Sequence, residues 1–154
     1  MAPALTSRHT WLRLLPVLSS TASVVVALSE YQALLPWLNH DIPSESLSPW
    51  FDSWFRLVLA GILALEATSV VGGYMGWKGT IGKAKFQYKF GTILALGHFV
   101  FAPTIAQCIK RLVYGPTDAK EELQWWLTLH TVRTVTTDIP AMLCFLYGYL
   151  NAIQ

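Results

Sequence analysis

Four long apolar stretches, roughly residues 12–38, 55–77, 90–109 and 123–153, constrain this chain more than any other feature. Each reaches the ~20 residues that a helix needs to cross a bilayer core about 30 Å thick. The segments between them, HDIPSESLSP, KGTIGKAKFQYK and KRLVYGPTDAKEE, gather Pro, Gly, Ser, Asp and Lys, the residues that break helices and tolerate water. The expected fold is all-α: a four-helix transmembrane bundle, one multi-pass membrane domain over residues 1–154. Only 13% of the 154 residues are charged, about half the share usual in soluble domains, so little chain is left over for a water-soluble domain.

Tryptophan supports the same reading, since indole rings concentrate where an apolar body can keep its N–H wet. Trp11, Trp37, Trp50, Trp54, Trp77, Trp125 and Trp126 all fall at or just beyond an expected helix end. Arg8, Arg13, Lys78, Lys83, Lys85 and Lys89 lie on one side of the expected bundle. Arg56, Lys110, Arg111 and Lys120 lie on the other, diluted by acids. The positive-inside rule then places both termini in the cytoplasm. Arg8 and Arg13 before an apolar run also fit a cleavable signal peptide, but the run continues past Ala27 to Leu38, longer than such a segment requires.

The net charge of +2, scattered along the chain, lacks the basic stripe of a nucleic-acid binder. Cys108 and Cys144 form no C-x-x-C pair, so neither a zinc site nor a redox dithiol is signalled. They read as small buried apolar residues. Gly61, Gly72, Gly73, Gly91 and Gly97 read as points of close helix contact. Pro103 and Pro140 are expected to kink the third and fourth helices, and Pro16 and Pro36 to mark helix ends.

Six ionisable residues interrupt the apolar runs: Glu30, Glu66, His98, His130, Arg133 and Asp138. A charged side chain at a helix centre costs roughly 2.5–3.5 kcal/mol on insertion scales and usually faces the bundle interior. Counting about 1.5 Å per residue from the non-cytoplasmic ends puts these six between about 8 and about 20 Å deep, in one layer. On the fourth helix His130, Arg133, Thr134, Thr137 and Asp138 fall within an arc of about 140° at 100° per residue. A mutually satisfied structural network would explain any one of them. Six at one level point to a functional pocket, with His130, Asp138, Arg133 and His98 as catalytic candidates and Glu30, Glu66, Thr134 and Thr137 as substrate-binding candidates.

The C-terminal stretch WWLTLHTVRTVTTDIPAMLCFLYGYL, with Trp126, His130, Arg133, Asp138 and Ala141 at characteristic positions, resembles the last helix of the anthrone oxygenase-like family, small fungal-type four-helix membrane proteins. GHFVFAPTIAQCIKRL is similar to that family's third helix, whereas the first helix, SSTASVVVALSEYQALL, departs from the Gly- and Ser-rich span common there. The resemblance implies a tailoring monooxygenase of secondary metabolism, seated in the endoplasmic reticulum or another endomembrane. It would oxidise an anthrone-like aromatic polyketide to a quinone, with O2 as co-substrate and no cofactor. Its partners would be an apolar aromatic small molecule, the lipid bilayer and other membrane-associated pathway enzymes.

In that chemistry His130 or Asp138, with His98 as a further candidate, would remove a weakly acidic C–H proton, and Arg133 would stabilise the enolate. No H-x-x-H or H-E-x-x-H spacing occurs, so no metal is expected. Two histidines and a carboxylate holding non-haem iron remain the minor alternative. The competing functional readings are a non-catalytic scaffold for pathway enzymes and, with no inverted repeat to support it, a proton-coupled carrier.

Overall fold

The computed structural model describes residues 3–153, with side chains from Thr10 onward. It is a helical bundle of four rods, and no strand occurs among the described residues. The first rod is α1 (Pro3–Leu34) and the second α2 (Leu47–Gly79). The third is α3 (Gly82–His98) followed by a 3-10 turn and α4 (Ala102–Tyr114). The fourth is α5 (Ala119–Arg133), a π-helical turn at Thr134–Asp138 and α6 (Ile139–Ala152). Neighbours in sequence are neighbours in space: α1 packs on α2, α2 on α3, α3 on α6 and α4 on α5, and α6 closes back on α1.

Three of the rods, Thr10–Leu38, Ser44–Lys78 and Gly82–Tyr114, are long and apolar enough to cross a membrane. The fourth, expected as the span 123–153, is not among them because His130, Arg133, Thr134, Thr137 and Asp138 sit in its middle. Helix ends also differ from expectation. Most of the Lys-rich segment 78–89 is helical, and α2 passes to α3 through Thr80 and Ile81. Gly82 makes this turn at φ +59°, where a side chain would be strained.

The half of the bundle nearest that turn is closely packed. Tyr88 and Phe145 are fully buried there with Val17, Ala95 and Ala141 around them. A Cβ added at Gly76 would lie 2.5 Å from Tyr88, one at Gly73 would lie 2.6 Å from Phe145, and one at Gly91 would lie 2.7 Å from the same ring. Gly72 receives the ring of Pro16, which stands inside α1 instead of marking its end. Gly61, by contrast, would meet nothing within 4 Å and is no contact point. Arg13 donates to the carbonyl of Gly79 at 2.9 Å, and Tyr88 donates to that of Arg13 at 2.9 Å, satisfying backbone groups at this end.

At the opposite end, Lys120 donates to the carbonyls of Asn39 and Ile42 at 2.7 and 2.6 Å. Arg111 pairs with Glu122 at 2.8 Å. A second core forms here from Leu34, Leu47, Phe51, Cys108, Leu123 and Trp126. Cys108 is buried as expected, while Cys144 is half-buried.

Candidate functional site

Two backbone irregularities shape the boundary between these halves. Pro103 has no N–H for the carbonyl of Phe99, four residues back. The third rod accordingly leaves the α-helix at His98, makes a 3-10 turn at Phe99–Phe101 and restarts with Pro103 in the first turn of α4. Pro140 likewise cannot donate to Thr136, and the turn before it is π-helical. In an α-helix, residues five apart diverge by about 140°, but i→i+5 winding brings them together. Arg133 Nε therefore reaches Asp138 Oδ2 at 3.3 Å.

The six ionisable residues that interrupt the apolar runs meet there as one network drawn from the four rods. Ser23 of α1 donates to Glu66 Oε1 on α2. His98 Nδ1 lies 3.6 Å from that oxygen and 3.0 Å from Asp138 Oδ1. The hydroxyl of Thr137 is 2.9 Å from Asp138 Oδ1. Arg133 connects Asp138 to His130, its Nη2 donating to His130 Nδ1 at 2.9 Å. Nε2–H of His130 donates to the carbonyl of Ala27 at 3.0 Å, and Glu30 Oε2 stands 3.4 Å from His130 Nδ1.

A backbone carbonyl only accepts and a guanidinium only donates, so these contacts assign His130 as the neutral Nε2–H tautomer. Both of its ring nitrogens are engaged. The oxygens of Asp138 are also engaged, by His98, Thr137 and Arg133. Glu30 differs: it is 4% exposed, and its Oε1 has no hydrogen-bond partner among the described residues. Thr134 is buried near the network, but its hydroxyl likewise finds no partner among them.

On the open side of this layer lies a cavity of about 340 Å³. Glu30, His98 and Arg133 contribute its polar groups, while the walls come from Phe55, Leu59 and Leu63 of α2, Ala106 and Ile109 of α4, and Trp126. Leu59 and Leu63 are 37% and 48% exposed, so the cavity opens sideways between α2 and α4 onto the apolar flank of the bundle. Trp126 was expected at the membrane interface but is 2% exposed. It stacks on His130 with ring centroids 4.8 Å apart and planes at 10°. The sequence reading also missed Ser23 and the α2–α4 wall. An aromatic at i and a histidine at i+4 lie on one helix face, the signal that could have joined Trp126 to His130.

No family model matches the chain, and no solved structure matches it. Curated fungal relatives do. Epoxidase gkaX of Penicillium citrinum is 27% identical over 159 residues, covering 92% of this chain and 94% of its own. Epoxidase pydX of Acremonium sp is 25% identical with the same coverage. Oxaleimides biosynthesis cluster protein N of Penicillium oxalicum is 23% identical, covering 93% of this chain and 90% of its own. The chain is similar to fungal tailoring proteins of secondary metabolism. The relatives' names support an oxidative tailoring role; anthrone oxygenase is not among the names.

Proposed function

We propose that this chain is a membrane-embedded oxygenase of fungal secondary metabolism that epoxidises an apolar, unsaturated small molecule. The observation that carries the reading is the sideways-opening apolar cavity whose inner end holds Glu30, His98 and Arg133. A lipophilic substrate dissolved in the bilayer would enter between α2 and α4 without crossing water, and its apolar body would fill the wall while the reacting double bond met the polar layer. All four rods are embedded in this reading, because the polar residues of the fourth face the other three. Both termini are cytoplasmic, the membrane is that of the endoplasmic reticulum or another endomembrane, and neighbouring pathway enzymes deliver the substrate.

Epoxidation by O2 transfers one oxygen atom to the double bond and reduces the other to water, with two protons and two electrons. The electrons come from a nicotinamide- or flavin-class reductant supplied by a partner. Within the chain, Glu30 is the group positioned to exchange a proton with bound substrate, through its unengaged oxygen. Arg133 stabilises negative charge developing on oxygen. His130, stacked on Trp126 and bonded to Ala27, positions Arg133.

A second reading is favoured by the Trp126, His130, Arg133, Asp138 and Ala141 pattern: oxidation of an anthrone-like methylene to a ketone. There one O2 yields the carbonyl and one water, with no external reductant and no cofactor. Glu30 has the freer oxygen for abstracting the C–H proton, whereas His130 or Asp138 would first have to break its existing bonds.

Metabolite profiling of a deletion strain, with labelled O2 fed to membranes carrying the chain, tests both readings. An accumulated alkene precursor, and a product bearing one labelled oxygen in a three-membered ring, is the expected result. An accumulated anthrone-type precursor would select the second reading. An unchanged profile with no labelled product would reject both in favour of a non-catalytic scaffold.

A further inference from the structure

Glu66, His98 and Asp138 present three buried donor atoms, Oε1, Nδ1 and Oδ1, all within 4.8 Å of one another. They come from α2, the end of α3 and the π turn, so no spacing within one helix announces them. First-row divalent ions hold such donors at about 2.1 Å, which places adjacent donors about 3.0–3.4 Å apart in octahedral or tetrahedral arrangements. The Nδ1 of His98 is 3.0 Å from Asp138 Oδ1 and 3.6 Å from Glu66 Oε1, close to that range.

Charge gives an independent reason. The layer contains the carboxylates of Glu30, Glu66 and Asp138 against the single guanidinium of Arg133, since His130 is the neutral tautomer. With all three carboxylates ionised and His98 neutral the formal sum is −2, a heavy imbalance for groups 3–8% exposed in a low-dielectric interior, to be relieved by protons on the carboxylates or by a bound cation. A divalent cation cancels it. Ser23 meanwhile holds the Glu66 carboxylate in place, and the Thr137 hydroxyl is shared between the Arg133 carbonyl and Asp138 Oδ1.

We infer that Glu66, His98 and Asp138 form a divalent metal site of the Fe(II) or Mn(II) class. An oxygen-rich set with one imidazole suits these ions better than the softer or more nitrogen-seeking ones. His98 also lines the cavity, so a coordination position left open would face the bound substrate. The inference deepens the oxygenase reading and rests on it for the ion's purpose. It departs from the expectation of no metal, and its ligand set differs from the minor alternative of two histidines and a carboxylate, because His130 Nε2 is committed to Ala27 and its Nδ1 to Arg133.

The test is titration of chelator-stripped full-length protein in lipid nanodiscs with Mn(II), following the free-ion electron paramagnetic resonance signal. About one ion per chain is expected, with affinity falling at least tenfold in His98→Ala and Glu66→Gln. Glu122→Gln, a carboxylate lost outside the layer, should bind like wild type. Thermal melts of each variant separate lost ligands from lost folding, and a Mn(II)-dependent rise in the wild-type melting temperature that His98→Ala lacks provides a second readout. No binding above empty nanodiscs, or equal binding by wild type and a folded His98→Ala, would overturn the site. Full oxygenation by stripped protein would remove the ion from the chemistry and leave the oxygenase reading standing. Site-specific binding in a protein that never forms product would do the reverse.

Discussion

In the half of the bundle near Gly82, rings fill the space that glycine leaves: Tyr88 against Gly76, and Phe145 against both Gly73 and Gly91. In the other half, α2 and α4 part around a cavity of about 340 Å³, and wall residues such as Leu59 and Leu63 remain partly exposed. The same four rods make both halves. The difference arises where Pro103 interrupts the third rod, redirecting it as α4 toward α5. Close packing fixes the rods below the polar layer and so allows an unfilled space above it, because the layer's geometry does not depend on contacts across the cavity.

The largest effect that would break this contrast lies in the layer itself. Asp138→Asn removes the charge that faces Arg133, and breaking a buried pair in this way costs about 3–5 kcal/mol. A steep drop in melting temperature and loss of product are expected. A variant as stable as wild type would mean the layer does not join the halves. Next comes the closed half: Gly76→Val should cost about 1–3 kcal/mol through overpacking against Tyr88, whereas Gly61→Val should stay within about 0.5 kcal/mol of wild type. Equal melting temperatures for these two would refute the packing difference.

Filling the open half should reverse the pattern. Ala106→Leu, at the cavity wall, is expected to leave stability within about 0.5 kcal/mol but to lower product formation about tenfold, equivalent to roughly 1.4 kcal/mol of transition-state stabilisation. Unchanged turnover would move the substrate elsewhere. The smallest effect concerns the open half's rim, where Arg111, bonded to Glu122, holds its carboxyl below the ordinary value. A lowered folded value means the contact stabilises fully above the ordinary carboxylate range, near about pH 4.3, and is lost as pH falls through the folded value. Between about pH 6 and about pH 3 the wild-type melting temperature should therefore approach that of Glu122→Gln. The difference will be small because Arg111 is solvent-exposed.

Hydropathy alone located all four rods and the six ionisable residues that interrupt them, because apolar length and buried charge are properties of residue type and count. It also anticipated that these residues share one level of the bundle, since helical rise is constant. The uneven turns were beyond it: the tight connection at Thr80 and Ile81, the 3-10 break after His98 and the π turn at Thr134–Asp138 depend on how proline-freed carbonyls are accommodated by neighbouring rods. Partners within the layer depend on the same packing, which engages both nitrogens of His130, leaves Glu30 Oε1 unbonded and assembles Glu66, His98 and Asp138 from three rods. Trp126 marks the limit most clearly. Its place near a helix end suggested a wet interface, but the rotation of α5 set its ring against His130 beside the cavity, and side-chain direction around a helix is decided only when the other helices pack against it.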